Sequence, residues 1–369
     1  MTRQEFFPSR AYTPDLPRNP RPIVILGAGG IVKDAHLPAY RKAGFPVAAI
    51  YNRTPARAQA LADEYDIPLV FKRIADAVAS APEEAVFDIA LMPEQYEQTL
   101  EALPDGCGVL IQKPLGNYLA DTKRIVEICR RKKLCAAVNT QLRFSPYISV
   151  ARAAIAGGAI GELYDLEIRV EVNTPWELFP HVLTMERLEI NMHSVHYIDL
   201  IRSFIGDPER VSAVTVEHPL KNHANSRSDI IMHYGDRLMR AVISTNHDHH
   251  YGRKYEESFV KWEGADGAIR AQMGLLLDYP SGGEDRLEIF RNSEPDMGWQ
   301  QLEFSGSWFP DAFIGSMGAL HRYLEGSVPD LPTSVEDVYQ TMAVVEAAYE
   351  ASLSGGVPPA YQQQVHPHR

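Results

Sequence analysis

The chain has 369 residues, 45% apolar and 23% charged. That is too apolar for a disordered chain and, at roughly 150 residues per domain, long enough for two domains. Lysine and arginine number 36 against 48 carboxylates, a net charge of −12, and the longest cationic run is Arg130 to Lys133; the basic footprint that nucleic acid selects is missing, and those four cations read as the solvated end of a helix. Cys107, Cys129 and Cys135 are too few to staple the chain and lack metal spacing, no segment approaches the ~18 apolar residues of a membrane span, and the N-terminus has no apolar signal core, so a cytoplasmic protein without membrane contact is expected.

Residues 1–21 read as a proline-rich arm. Pro8, Pro14, Pro17 and Pro20, with Pro22 at its end, each remove a donor and fix φ. The arm is loose, or the Phe6-Phe7 pair packs it on its own or a neighbouring subunit.

From residue 22 the texture changes. Ile23 to Leu26 is a branched apolar run, the pattern of a strand buried on both faces. Helical spacing covers Ala35 to Ala43, Pro46 to Tyr51 reads as a second buried strand, and Ala56 to Tyr65 has strong helix propensity. Further apolar runs at Val86–Met92, Gly108–Gln112 and Cys135–Asn139 are separated by helical segments near Tyr96–Leu103 and Leu119–Arg131. Strands alternating with helices imply a doubly wound parallel sheet over residues 22–143.

Residues 144–369 read as a second, α+β domain. After a helix at Ser149–Ala156, period-2 strands appear at Leu163–Val172, Val211–Glu217, Ile230–Tyr234, Met239–Thr245, Glu257–Trp262 and Leu287–Phe290. Alternation of this kind marks a large open, mostly antiparallel sheet with one solvated face. Helices at His193–Ile205 and Val335–Ser352 accompany it, the second opening with Thr333-x-x-Glu336, a capping box by spacing.

The first strand runs into Gly27-Ala28-Gly29-Gly30-Ile31-Val32 and then a helix. The first glycine of such a turn permits the bend, the second lets backbone approach a pyrophosphate, and the helix N-terminus stabilises the anion. Val32 stands where Gly or Ala is usual, so helix and strand should sit farther apart. At the end of the second strand, Asn52-Arg53-Thr54 with Arg57 carries cations and no carboxylate. A ribose 2′-hydroxyl wants an acidic partner and a 2′-phosphate wants a cation, so NADP is preferred, with NAD possible. Candidate cofactor contacts are Gly27, Gly29, Gly30, Ile31, Asn52, Arg53, Thr54, Arg57, Met92, Pro93, Lys113 and Pro114.

Six segments in register carry a resemblance. Gly27-x-Gly29 with His36-Leu37-Pro38, Gln112-Lys113-Pro114-Leu115, Arg143-Phe144-Ser145-Pro146, Gly158-Ala159-Ile160-Gly161, His196-x-x-Asp199 and Gly264-x-x-Gly267 resemble the glucose-fructose oxidoreductase/inositol dehydrogenase (Gfo/Idh/MocA) family over roughly residues 22–353. The resemblance implies an N-terminal Rossmann domain, a C-terminal domain whose sheet joins subunits into a homodimer or homotetramer, and NAD(P)-dependent redox chemistry on sugars, cyclitols or related polyols. By the same resemblance Lys113, in a Gln-Lys-Pro turn where the family has Glu-Lys-Pro, is the catalytic acid/base. Gln112 removes a carboxylate and should leave Lys113 easier to deprotonate. His196 matches the family histidine that orients the hydroxyl and relays its proton; Asp199 more naturally supports structure.

Where many relatives carry an aspartate, this chain has Met192. Either His193 or Glu189 then takes over the polar role, or the chain has lost ordinary alcohol dehydrogenation; both could also be plain surface positions. Candidate substrate contacts are Lys113, Gln141, Arg143, Trp176, His193 and His196, although Gln141 and Arg143 could instead pin the linker and Trp176 could be core; His181 lies in the same aperiodic segment as Trp176. His247-Asp248-His249-His250 is not expected to bind metal, because adjacent strand residues face opposite ways and no spaced carboxylate completes a set. A non-catalytic NAD(P)- or sugar-binding sensor and an enzyme for non-sugar substrates are the competing readings.

Overall fold

The computed structural model describes residues 15–179, 182, 184–235 and 238–358. The five apolar runs of the N-terminal part become β1 (Ile23–Leu26), β2 (Val47–Tyr51), β4 (Val86–Ile89), β5 (Gly108–Gln112) and β6 (Cys135–Asn139), and a short strand that the runs do not announce, β3 (Leu69–Phe71), joins them. They pair in parallel in the order β3-β2-β1-β4-β5-β6. β1, β4 and β5 are buried along their whole length, as their unbroken apolar texture requires. Crossovers are α1 (Leu37–Ala43), α2 (Pro55–Tyr65), α3 (Ile74–Ala79), α4 (Tyr96–Ala102) and α5 (Leu119–Arg131). The winding reverses between β1 and β4, which opens a crevice at the carboxyl ends of the strands. The turns after β1, β4 and β5 all lie at those ends.

The second sheet has the order β14-β13-β12-β11-β7-β10-β9-β8. Its strands are β7 (Leu163–Glu171), β8 (Arg210–Val216), β9 (Arg227–His233), β10 (Arg240–Asn246), β11 (Glu257–Gly264), β12 (Gly267–Gln272), β13 (Arg286–Arg291) and β14 (Gln300–Gln301). Every pair is antiparallel except β7 with β10. One face is apolar, with Leu166, Ile168, Val170, Ile243, Val260 and Trp262 buried. It lies under α6 (Pro146–Ala156), α7 (Val195–Ile205) and α9 (Val335–Ser354); Trp262, for example, meets Phe204 of α7 with ring centroids 5.2 Å apart. The other face carries charge, including Lys261 within 3.2 Å of Glu167 and 2.8 Å of Glu263.

β3, α3, β12 and β14 have no counterpart in the sequence reading, and two further elements depart from it. α8 (Asp311–Leu324) has no counterpart in the sequence reading and does not cover the second sheet. Its Phe313, Ile314, Met317 and Leu320 share a core with Ile23, Ile25, Ile50, Val86 and Leu110. The chain thus returns to the first sheet after building the second, which a single boundary at residue 143 does not convey. α8 also holds the end of the arm: the Arg18 and Asn19 N–H groups donate to Glu325 at 2.9 and 3.2 Å, and the Arg21 N–H to His321 Nδ1 at 3.3 Å. Phe6 and Phe7 lie outside the described residues. The α9 cap is also shifted by one residue. Ser334, not Thr333, accepts from the Asp337 N–H at 3.2 Å, because Thr333 is drawn inward and its carbonyl accepts from Val138 N–H at 2.8 Å. Among the described residues no helix is long and apolar enough to cross a membrane.

Candidate functional site

The turn after β1 has the conformation its glycines permit. Gly27 sits at φ 132°, and a Cβ there would lie 2.2 Å from the Ala90 carbonyl oxygen; no other residue fits. At Gly29 a Cβ would meet nothing within 4 Å, and the residue is exposed. Beyond it Gly30 and Ile31 open the helix, so their N–H groups face the same open side without intrahelical partners. That is a cradle for an anion. Val32 is fully buried, and the helix is wound as a π turn over Val32–His36 before α1 begins.

The adenosine end of such a cradle falls at the carboxyl end of β2. Asn52 turns its amide back onto the Thr54 carbonyl at 3.0 Å, and Thr54 precedes the first turn of α2. Arg53 and Arg57 are exposed. Among the described residues neither guanidinium has a carboxylate partner, so both are available to a phosphate. Met92 is exposed and Pro93 half-buried just past β4, beside the same crevice.

Lys113 follows the last residue of β5 and is the best-defined group of the site. Its Nζ donates to the Met192 carbonyl oxygen at 2.7 Å, and burial lowers its pKa to about 8. The expectation that Gln112 influences this lysine fails on direction. Gln112 faces the opposite way, its Oε1 accepting from Asn139 Nδ2 at 2.9 Å. From Asn139 a buried chain continues to His36 Nε2 at 3.4 Å, then from His36 Nδ1 to Asp88 at 2.7 Å, with the Tyr40 hydroxyl also on Asp88 at 2.8 Å. Gln112 and His36 therefore belong to one polar network inside the first domain, and desolvation alone depresses Lys113.

His196, on the first turn of α7, is 4% exposed. Burial and then the Lys113 charge hold its pKa well below the usual imidazole value, so it is a neutral imidazole near pH 7. Its Nδ1 has no hydrogen-bond partner, and its ring meets Trp308 edge-on. His193 is likewise depressed, by burial, then by His247, Lys113 and His196. Met192 offers its backbone rather than its side chain.

Neither His193 nor Glu189 is a surface position. Glu189 is fully buried, accepting from Ser194 Oγ at 2.8 Å, and its Oε1 stands 3.7 Å from His247 Nε2. His193 stacks on His247 with centroids 4.0 Å apart. Trp176 is buried behind them, its centroid 5.6 Å from His193 and 5.9 Å from His247, and its Nε1–H donates to Asp248 Oδ1 at 3.2 Å. It backs the histidines and forms a small core with Val182 and Leu188. His181 lies outside the described residues.

Arg143 is committed elsewhere. Its Nε and Nη2 fork onto the Asp199 carboxylate, Nη2 also reaches Asp337 at 2.6 Å, and Nη1 donates to the Pro332 carbonyl at 2.8 Å. With the guanidinium satisfied by protein, the linker-pinning alternative describes it and substrate contact does not. Gln141 is buried with its Oε1 unpartnered, a free acceptor near the domain junction.

The sequence gives His247 no role apart from the other three residues of its run. The structure separates them: His249 bonds Glu171 at 3.1 Å, His250 is half exposed near Asp248, and His247 alone turns toward Glu189 and His193. The four-residue spacing of Glu189 and His193 was a readable signal, since it places both on one helical face. The approach of His247 from the end of β10 was not.

Two family models match the chain. One, described as an oxidoreductase family with an NAD-binding Rossmann fold, covers residues 21–140; the other, the Gfo/Idh/MocA C-terminal domain, covers 148–270. D-apiose dehydrogenase of Paraburkholderia graminis is 24% identical over 90% of this chain and 87% of its own. D-xylose 1-dehydrogenase (NADP(+)) 2 of Haloferax volcanii is 26% identical over 90% of this chain and 97% of its own. An oxidoreductase from Agrobacterium radiobacter, solved with NAD+, L-tartaric acid and magnesium, shares the fold with a TM-score of 0.75, 22% identity, and coverage of 92% of this chain and 98% of that one.

Removing one member of a buried ion pair strands the other. Arg143→Ala should therefore lower unfolding stability by about 3–5 kcal/mol in urea titration, whereas an exposed arginine such as Arg73→Ala should change it by less than about 1 kcal/mol. Equal effects would show that the Arg143 cluster does not carry the junction.

Proposed function

The chain belongs to the Gfo/Idh/MocA family of oxidoreductases, and from that premise we propose that it is an NADP-preferring dehydrogenase acting on a carbinol carbon of a sugar or related polyol. The observation that carries this reading is Lys113: a desolvated amine at the carboxyl end of β5, held by a neutral carbonyl and close enough to His196 to depress it. The open glycine turn and the unpaired Arg53 suit a dinucleotide with a 2′-phosphate. When bound, its nicotinamide supplies the acceptor for the hydride that leaves the carbinol carbon.

The remaining work belongs to side chains. In the oxidising direction Lys113, as the free amine, takes the hydroxyl proton while the C–H electron pair departs as hydride; in reverse its ammonium returns that proton to the carbonyl oxygen. His196, neutral and with an unused Nδ1, orients the hydroxyl and relays its proton outward. Gln141 offers an acceptor for a neighbouring hydroxyl. The named relatives act on apiose and xylose, which supports a polyol of similar size.

We also assign self-association to the outer face of the second sheet, where Val214, Val216 and Ile231 stand exposed on β8 and β9. Light scattering should show a dimer or larger species that Val214→Lys with Ile231→Lys reduces to a monomer; an unchanged mass would reject this face.

Reduced-cofactor absorbance over a panel of pentoses, hexoses and cyclitols tests the enzyme reading. Turnover should fall by about 10²–10⁴ in Lys113→Ala. Oxidation should rise through pH 8 as Lys113 loses its proton, and reduction should fall through the same pH. Cofactor binding with no turnover on any polyol would favour a sensor.

Arg53→Ala isolates the cofactor preference. A lost charge-assisted contact of about 1.5–3 kcal/mol should weaken NADP by roughly ten- to a hundredfold and leave NAD nearly unchanged. Equal weakening of both would place Arg53 away from the 2′-phosphate.

A further inference from the structure

Glu189, His193 and His247 form a cluster that the hydride transfer does not use. One ligand atom from each lies within 4.8 Å of the others. All three carry a buried polar atom without a hydrogen-bond partner: Glu189 Oε2, His193 Nδ1 and His247 Nε2. A fully buried carboxylate normally has a cation or several donors around it. Here Glu189 has one hydroxyl, from Ser194, and an imidazole nitrogen at 3.7 Å, beyond hydrogen-bond range.

We propose that these three side chains hold a divalent transition-metal ion. Two imidazoles and one carboxylate are the donor set of catalytic zinc sites and suit other first-row divalent ions. The placement also fits. Glu189 and His193 lie one turn apart, on a segment wound as a π turn over Ile190–Ser194, and His247 comes from the far end of β10. Behind His247, Thr174 Oγ1 bonds Nδ1 at 2.9 Å, the outer-shell contact that fixes a histidine ring and leaves Nε2 for a metal. Contraction of the set to a tetrahedral edge of about 3.3 Å, the spacing implied by metal–nitrogen bonds near 2.0–2.1 Å, tilts the two rings out of their parallel stack. Three protein ligands leave a coordination position for water or a substrate oxygen, one residue from the carbonyl that holds Lys113. The proposal rests on the redox reading for the use of that position and not for binding.

The test is metal binding by the full chain after dialysis against chelator. Cobalt(II) should be taken up to about one equivalent with a visible ligand-field absorption, zinc should displace it, and zinc should raise the melting temperature. His247→Ala and Glu189→Gln should lose the absorption and the zinc-induced shift, while His250→Ala keeps both. Thr174→Val, which leaves every ligand in place, should bind cobalt about tenfold more weakly. Absence of uptake by the wild-type chain would overturn the proposal, as would uptake that survives in His247→Ala and Glu189→Gln or is lost only in His250→Ala. Since the readout is binding, a chain that loads metal but oxidises no polyol would refute the redox reading and leave the site standing.

Discussion

The geometry of the site hangs on one guanidinium. Arg143 leaves the last strand of the first domain and is gripped by Asp199 of α7, Asp337 of α9 and the Pro332 carbonyl. Asp337 also meets Arg202, whose Nε holds Asp207 at 2.6 Å and whose Nη1 reaches Thr341 at 2.6 Å. Arg143, Asp199 and Arg202 are buried and each has an opposite charge beside it, so they are tolerated where water is scarce, while Asp337 and Asp207 reach solvent. α7 carries His196, and the turn after β5 carries Lys113. The distance between the two is set by the element that locks α7 against the first domain, which gives Arg143, itself part of neither, control over their spacing.

The same closure explains the electrostatics. Burial drives Lys113, His193 and His196 toward their neutral forms; on Lys113 it acts alone, on His196 the Lys113 charge comes second, and on His193 it is followed by His247, Lys113 and His196. Several cationic groups drawn together out of water cannot all keep their protons. Lys113 has the highest intrinsic affinity of the three and keeps its proton longest. The overall charge of −12 has no say in this, because screening ends such effects within about a nanometre while the local groups are in contact.

Patterns that repeat along the chain were readable in advance. The five short apolar runs and the glycine turn led to the parallel sheet, and period-2 alternation led to the second one. Short or irregular elements were not: β3 has three residues and α3 six. α8, though long, gives no hint of which sheet it covers, since burial on a distant partner leaves no local mark. Within the site, Lys113 and His196 stood out by motif. Gln112 was misjudged because neighbouring strand residues face opposite ways, so a residue beside the lysine in sequence is not beside it in space. His247 escaped for a related reason: its partners are more than fifty residues away, and spacing arguments see only one segment at a time.

Met192 gains a physical meaning from these contacts. An aspartate at that position would set a negative charge near the Lys113 ammonium, stabilise it, and hold the lysine closer to its ordinary pKa. Methionine removes the charge, yet the ammonium is still held, because the backbone carbonyl of the same residue accepts from Nζ at 2.7 Å. A carbonyl dipole satisfies the hydrogen bond without the full attraction of an ion pair. The lysine therefore stays in place with its pKa lowered by burial to about 8, which suits the proton exchange proposed for it. What reads in the sequence as the loss of a polar residue acts in the fold as the removal of a charge that would have fixed the proton on the amine.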